Sequence, residues 1–234
     1  MLTLAFETSA KAASVALMED GKLLGESYQN TGLTHSQTLM VMAQDMIRTS
    51  GHTPQQVEAV AVAAGPGSFT GVRIGVAAAK GFAWGLDIPC YGVSTLEAMA
   101  LNLAVYDGYV LPVMDARRSQ VYTATFHAVH GKYEIVREDR AISLQELAED
   151  TKNITEPVFL VGDGSILCYN TLSEGMPNLV MPAEHRMHQR AAGVALAAEA
   201  MMKAGIPGDG AALTPNYLRL SQAERERMAR EQQK

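Results

Sequence analysis

The stretch LTLAFETSAKAASVALMEDGKLLGESYQ, Leu2 to Gln29, decides the fold. It reads as three strands, at 2–7, 13–19 and 22–29. Asp20-Gly21 between the last two is a strong two-residue hairpin signal, because both central positions of such a turn favour positive φ. A β-meander therefore opens the chain. Thr34 then heads a helical pattern running to about Ser50, with Leu39, Met42, Ala43, Met46 and Ile47 on one stripe and Gly51 as its stop. Pro54 starts a short helical turn, 57–64 is a buried strand, 70–86 a long helix and 88–93 the next strand. Ser94 and Glu97 have capping-box spacing for another helix.

From Tyr109 the same order returns. Strands are expected near 109–115, 120–128 and 132–140, followed by a helix headed by the Ser143/Glu146 box, a strand at 157–162, a helix at 165–174, a strand at 178–181 and a helix at 188–204. Both halves read βββαβαβα, which predicts mixed-sheet α/β lobes at 1–108 and 109–220 and a charged tail at 221–234. Tandem lobes of this kind resemble the two-lobed actin, Hsp70 and hexokinase superfamily of phosphate-cleft proteins.

Composition narrows the function. The 234 residues carry 19 Lys and Arg against 25 Asp and Glu, a net charge of −6, and 47% are apolar, which excludes a disordered or collagen-like chain. No apolar run reaches the ~20 residues of a membrane helix, and residues 1–7 lack a basic start, so a cytoplasmic protein is expected. Cys90 and Cys168 sit between apolar neighbours without CxxC spacing and read as core. The acidic balance argues against a whole surface that grips nucleic acid.

The most specific segment is Gly65-Pro66-Gly67-Ser68-Phe69-Thr70-Gly71-Val72-Arg73-Ile74-Gly75. It lacks the Lys of a Walker loop and the strand-end acid of a dinucleotide site. Gly71 and Gly75 are four apart, and Gly81 and Gly85 repeat the spacing. Helical glycine costs ~1 kcal/mol relative to Ala, so the repeat needs a close packing partner. The helix carries only Arg73 and Lys80 as charges, and Met40 and Val41 lie off the stripe of the preceding helix. Association of these helices with another subunit is the expectation, with burial inside the monomer as the alternative. For chemistry, Glu7, Thr8 and Ser9 at one strand end and Asp115 at another are candidate phosphate-cleft groups. Arg117 and Arg118 stand where that cleft needs glycine. No metal set, catalytic nucleophile or other catalytic residue is recognisable; His35 has Leu39, not a second His, four residues on.

Phe6-Glu7-Thr8-Ser9, Thr34-His35-Ser36, the run 65–75, Gly92-Val93-Ser94-Thr95-Leu96, Asp115-Ala116-Arg117-Arg118 and Pro215-Asn216-Tyr217-Leu218-Arg219 resemble, in that order, the bacterial TsaB (YeaZ) family. The resemblance implies a non-catalytic scaffold required for threonylcarbamoyl transfer to adenosine 37 of tRNA. It implies binding to the catalytic subunit TsaD, work with the ATPase TsaE, homodimers when alone and tRNA contact only through the complex. It places partner contacts on the helices at 34–50 and 70–86, with His35, Leu39, Met42, Gly71, Arg73, Ile74, Gly75 and Ala78 as the expected contact residues. No cofactor is expected for the isolated chain, with ATP or ADP and magnesium admitted in the assembly. The alternative is a small-molecule kinase or ATP-hydrolysing protein using Glu7 and Asp115.

Overall fold

The structure, a computed structural model, describes residues 1–103 and 105–219. β1 (Leu2–Glu7), β2 (Ala13–Glu19) and β3 (Lys22–Gln29) form the expected meander, turning through Asp20 and Gly21, both at positive φ. There follow α1 (His35–Thr49), a 3-10 turn (Pro54–Gln56), β4 (Ala59–Gly65), α2 (Phe69–Leu86), β5 (Cys90–Ser94) and α3 (Thr95–Leu101). The second series is β6 (Gly108–Asp115), β7 (Gln120–Val129), β8 (Lys132–Ser143), α4 (Leu144–Thr151), β9 (Val158–Val161), α5 (Ser165–Leu172), β10 (Leu179–Val180), α6 (Glu184–Met187) and α7 (Ala191–Lys203).

The sheet orders are β3-β2-β1-β4-β5 and β8-β7-β6-β9-β10, so the two halves repeat one topology. In each, a central strand pairs antiparallel with the hairpin and parallel with the strand that returns through a helix. The α/β two-lobed fold is as the sequence predicts.

Alternation within the first sheet explains its layers. Leu4 and Phe6 of β1, Val15 and Leu17 of β2, and Val60 and Val62 of β4 face α1 and α2. The intervening Ala5, Ala16, Ala59, Ala61 and Ala63 pack with α7 on the other face. Alanine there lets the Ala-rich α7 lie close to the sheet. Gly193 of α7 goes further, since a Cβ at this position would stand 2.0 Å from the Ala98 carbonyl of α3. α3 also packs on β6 and β7, so α3 and α7 fill the space between the sheets. α4 and α5 cover the far face of the second sheet with Leu147, Cys168 and Leu172. Burial pushes the Cys168 thiol up to about 12 and Cys90 up to about 11, so both stay protonated at neutral pH.

Sequence order and packing part company at α7. The helix belongs to the second series, yet it completes the first sheet. Glu26 of β3 accepts from Arg190 Nε and Nη2 at 2.9 and 2.6 Å and from the Ala192 amide at 3.1 Å, anchoring the α7 N-terminus. Glu199 accepts from the Gly21 amide at 2.7 Å, anchoring its other end to the β2–β3 turn. Capping differs in one detail: Ser143 and Glu146 close a full box, whereas Glu97 leaves the Ser94 box to accept from Tyr133 Oη at 2.6 Å. Among the described residues no helix is long and apolar enough to cross a membrane. The 221–234 tail lies outside the described residues.

Replacing Glu26 by Ala leaves Arg190 and the Ala192 amide without their acceptor. The expected loss is ~2–3 kcal/mol, below that of a fully buried pair because the Arg190 side chain is 30% exposed. A urea midpoint unchanged from the parent would refute the anchor; Glu26→Gln, which keeps an acceptor, should lose less.

Candidate functional site

A carboxyl stands at or just beyond the C-terminal end of β1, β6 and β9: Glu7, Asp115 and Asp163. Glu7 ends β1 and is 1% exposed. Its Oε1 accepts from the Ser9 amide at 2.5 Å, and Oε2 has no partner. Burial pushes its carboxyl up to about 7, with Asp163 adding to the rise and the Ser9 and Thr8 hydrogen bonds opposing it. Asp115 ends β6, is exposed, and accepts from the Arg117 amide at 2.7 Å. Asp163 follows β9 and accepts from Gln189 Nε2 at 3.0 Å; burial within the cleft and the neighbouring Asp115 raise its pKa. Ser165 Oγ and Gln189 Oε1 are buried without partners.

Glu7 and Asp115 are linked only through Asp163, which feels the charge of Asp115 and is felt by Glu7, and which the sequence reading missed. The signal was Gly162-Asp163-Gly164-Ser165 after a strand. A Cβ at Gly162 would stand 2.1 Å from the Val113 carbonyl, which is why only glycine brings Asp163 close to β6.

Thr8 is spent on packing, while the Ser9 hydroxyl is buried without a partner among the described residues. Thr8 Oγ1 donates to the Gly71 carbonyl at 2.8 Å. A Cβ on Gly71 would lie 2.1 Å from Thr8 O, and one on Gly75 would lie 2.4 Å from Thr8 Oγ1. The Ser68 amide donates to Ser9 O at 2.7 Å, and the Gly71 amide to Ser68 Oγ at 3.3 Å. The fold family implies a magnesium nucleotide in such a cleft, and these residues do not fit it. The Ser68 amide is tied to the Ser9 carbonyl, carboxyls rather than cations stand at the ends of β1 and β6, and Arg117, Arg118 and Ser119 place side chains on a left-handed turn (φ +56° to +64°) where a close backbone approach needs glycine. Among the described residues no group of three or more His, Cys, Asp or Glu is placed to hold a metal ion.

The helical face divides differently from the sequence expectation. Leu39 and Met42 point into the first core, and Ile74 and Ala78 pack against it. Gly71 and Gly75 make their close approach to Thr8 within the chain, so the glycine spacing there is explained without a second subunit. His35 Nε2 lies 2.8 Å from the Ala10 carbonyl. Arg73 Nε donates to Tyr217 Oη at 2.6 Å, and Tyr217 stacks on Phe69 at 4.5 Å. What stays exposed is Leu33, Met40 and Val41 beside and on α1, and on α2 Trp84, 89% exposed, flanked by Gly81 and Gly85, which have nothing within 4 Å of an added Cβ.

The family profile described as "TsaD: tRNA N6-adenosine threonylcarbamoyltransferase" matches residues 29–227. The "tRNA threonylcarbamoyladenosine biosynthesis protein TsaB" of Bacillus subtilis (strain 168) is 33% identical over 225 residues, covering 96% of each chain. The chain belongs to the TsaB (YeaZ) family. Its TsaB relatives carry a role in tRNA threonylcarbamoyladenosine biosynthesis in their names. The solved structure of YeaZ from Pseudomonas aeruginosa superposes with TM-score 0.73 at 24% identity over 93% of this chain and 99% of that one, which shows a common fold. The ROK hexokinase of Thermus thermophilus, at TM-score 0.50 and 11% identity over 86% of this chain and all of that one, shares the two-lobed architecture. The TsaB fold here therefore shares the two-lobed arrangement of that hexokinase.

Two outcomes test this geometry. Gly75→Leu should unfold or strongly destabilise the monomer, because its side chain must displace Thr8; a native melting temperature would refute the contact. For Glu7, the folded pKa near 7 exceeds the unfolded value near 4.5, so its contribution to stability is full below pH 4.5 and is lost as pH rises to about 7. At 1.36 kcal/mol per unit the loss is ~3 kcal/mol. Glu7→Gln should flatten most of that fall; identical stability profiles for parent and variant would refute it.

Proposed function

We propose that the chain is a non-catalytic scaffold subunit of tRNA threonylcarbamoyladenosine synthesis, which binds a catalytic TsaD-type subunit and favours its competent conformation. The observation that carries this reading is the exposed apolar side chains of these helices: Met40 and Val41 on α1, Leu33 just before it, and Trp84 on α2. A tryptophan 89% exposed on a helix next to two glycines open to solvent is expensive surface for a monomer and suits a helix-on-helix contact. The match to the catalytic family's profile supports descent from a common two-lobed ancestor, and the side chains of Arg117 and Arg118 on a turn that suits glycine support loss of its own phosphate chemistry. A scaffold of this kind acts only through contacts that differ between its partner's states.

In this reading the isolated chain takes no nucleotide, and ATP, ADP and magnesium enter with the TsaD and TsaE partners. The same α1/α2 face closes a homodimer when the partner is absent, and the complex works in the cytoplasm.

Reconstitution provides the test. With TsaD, TsaE and threonylcarbamoyl-AMP supplied, transfer to tRNA should rise with added chain and saturate near one copy per TsaD. Trp84→Glu should weaken the complex about tenfold or more, equivalent to ~1.4 kcal/mol, while leaving the fold intact. Full transfer without the chain would overturn the scaffold reading. Magnesium-dependent ATP turnover by the chain alone, lost in Glu7→Gln, would favour the kinase alternative.

A further inference from the structure

Among the described residues the arginines of this acidic protein, Arg186 aside, fall into two groups. Arg48, Arg137, Arg140 and Arg190 lie on carboxylates. Arg73, Arg117, Arg118 and Arg219 do not, and all four are gathered by one segment. Tyr217 holds Arg73 through its hydroxyl, and two residues on, Arg219 Nη1 donates to the Ala116 carbonyl at 2.5 Å, beside Arg117 and Arg118. Lys11 joins at the edge: its neighbour Ala10 packs on the same core cluster as Ala116 and Leu218. Arg186, on α6, is the other unpaired arginine among the described residues.

Arg117 and Arg118 are exposed, and their side chains have no hydrogen-bond or ion-pair partner among the described residues. Both are held, with Ser119, in the left-handed region, where three consecutive non-glycine residues are costly. The two nearby carboxylates are engaged, Asp115 with the Arg117 amide and Asp163 with Gln189. Between the cations stands an aromatic pair, Phe69 and Tyr217, with the Arg73 guanidinium 5.4 Å from the Tyr217 ring centre.

We propose that Lys11, Arg73, Arg117, Arg118 and Arg219 form a docking surface for the phosphodiester backbone of a single-stranded or loop segment of RNA, with Tyr217 offering a stacking face to a base. Guanidinium forks match phosphate oxygens, and an exposed ring among them suits unstacked bases. An acidic protein would use the charges but not the ring. With a net charge of −6, the rest of the surface repels RNA and confines it to this patch. The proposal rests on the tRNA-modification reading and adds to it a direct RNA contact by this chain.

The test is a titration of a fluorescent tRNA anticodon stem-loop at several salt concentrations, made on the full chain alone and on its TsaD complex. In the double variant Arg117→Asn with Arg118→Asn, the new side chains tolerate the left-handed backbone, so melting should not fall. RNA affinity should drop about tenfold or more, and the slope of log affinity against log salt should shrink by ~1–1.5, as two phosphate contacts require. Arg117→Lys with Arg118→Lys should keep the slope. Unchanged affinity in the Asn variant overturns the proposal while leaving the scaffold reading intact. Loss of the TsaD complex in that variant without loss of RNA affinity also overturns it, marking a protein interface instead. If no TsaD complex forms with the parent chain, the scaffold reading fails, and the titration on the chain alone still decides the RNA surface.

Discussion

The molecule turns on the clamp between Thr8 and α2. β1 is the middle strand of its sheet, and its end is pressed so closely under the first turns of α2 that Gly71 and Gly75 leave no room for a methyl group. The Thr8 hydroxyl donates to the Gly71 carbonyl, and the Ser68 amide caps the Ser9 carbonyl. This one contact fixes the path of 65–75 against the end of β1, where Glu7 is buried. The glycines of α2 and the burial of that strand end therefore have the same cause.

Much of the fold was legible in the residues. Alternation of Val and Ala through Ala59-Val60-Ala61-Val62-Ala63 specifies a strand buried on both faces, and the Asp20-Gly21 and Ser143/Glu146 signals act within a few residues, so sequence captures them directly. The limits are equally physical. Glycine spacing in α2 reports that something comes close, but not whether it comes from the same chain; at Gly71 and Gly75 it is Thr8, while Gly81 and Gly85 remain open. Leu39 and Met42 share the stripe that seats α1, so apolar character alone cannot separate core contacts from the exposed Leu33, Met40 and Val41.

The candidate site was half legible for the same reason. Glu7 and Asp115 end strands with clear patterns. Asp163 follows the four-residue β9 and reaches the cleft only because Gly162 and Gly164 let that loop pass against β6, a tertiary event with no local periodicity. The basic cluster is more remote still. Its members come from residues 11, 73, 117–118 and 219 and meet only because the 206–219 segment runs back across the first lobe, held by Lys80 Nζ on the Leu213 carbonyl and by the Asn216 amide on Ala64.

The position of α7 has a consequence for biosynthesis. The alanine face of the first sheet, made from residues 5–63, is covered in the main by a helix that begins at residue 191, with Ala98 and Leu101 of α3 beside it. A ribosome must therefore complete more than four fifths of the chain before the first lobe can close, and until then that face is a sticky template of paired strands without a lid. The emerging protein has reason to meet a holdase, and any truncation before α7 would leave an intact-looking first lobe unable to stand alone.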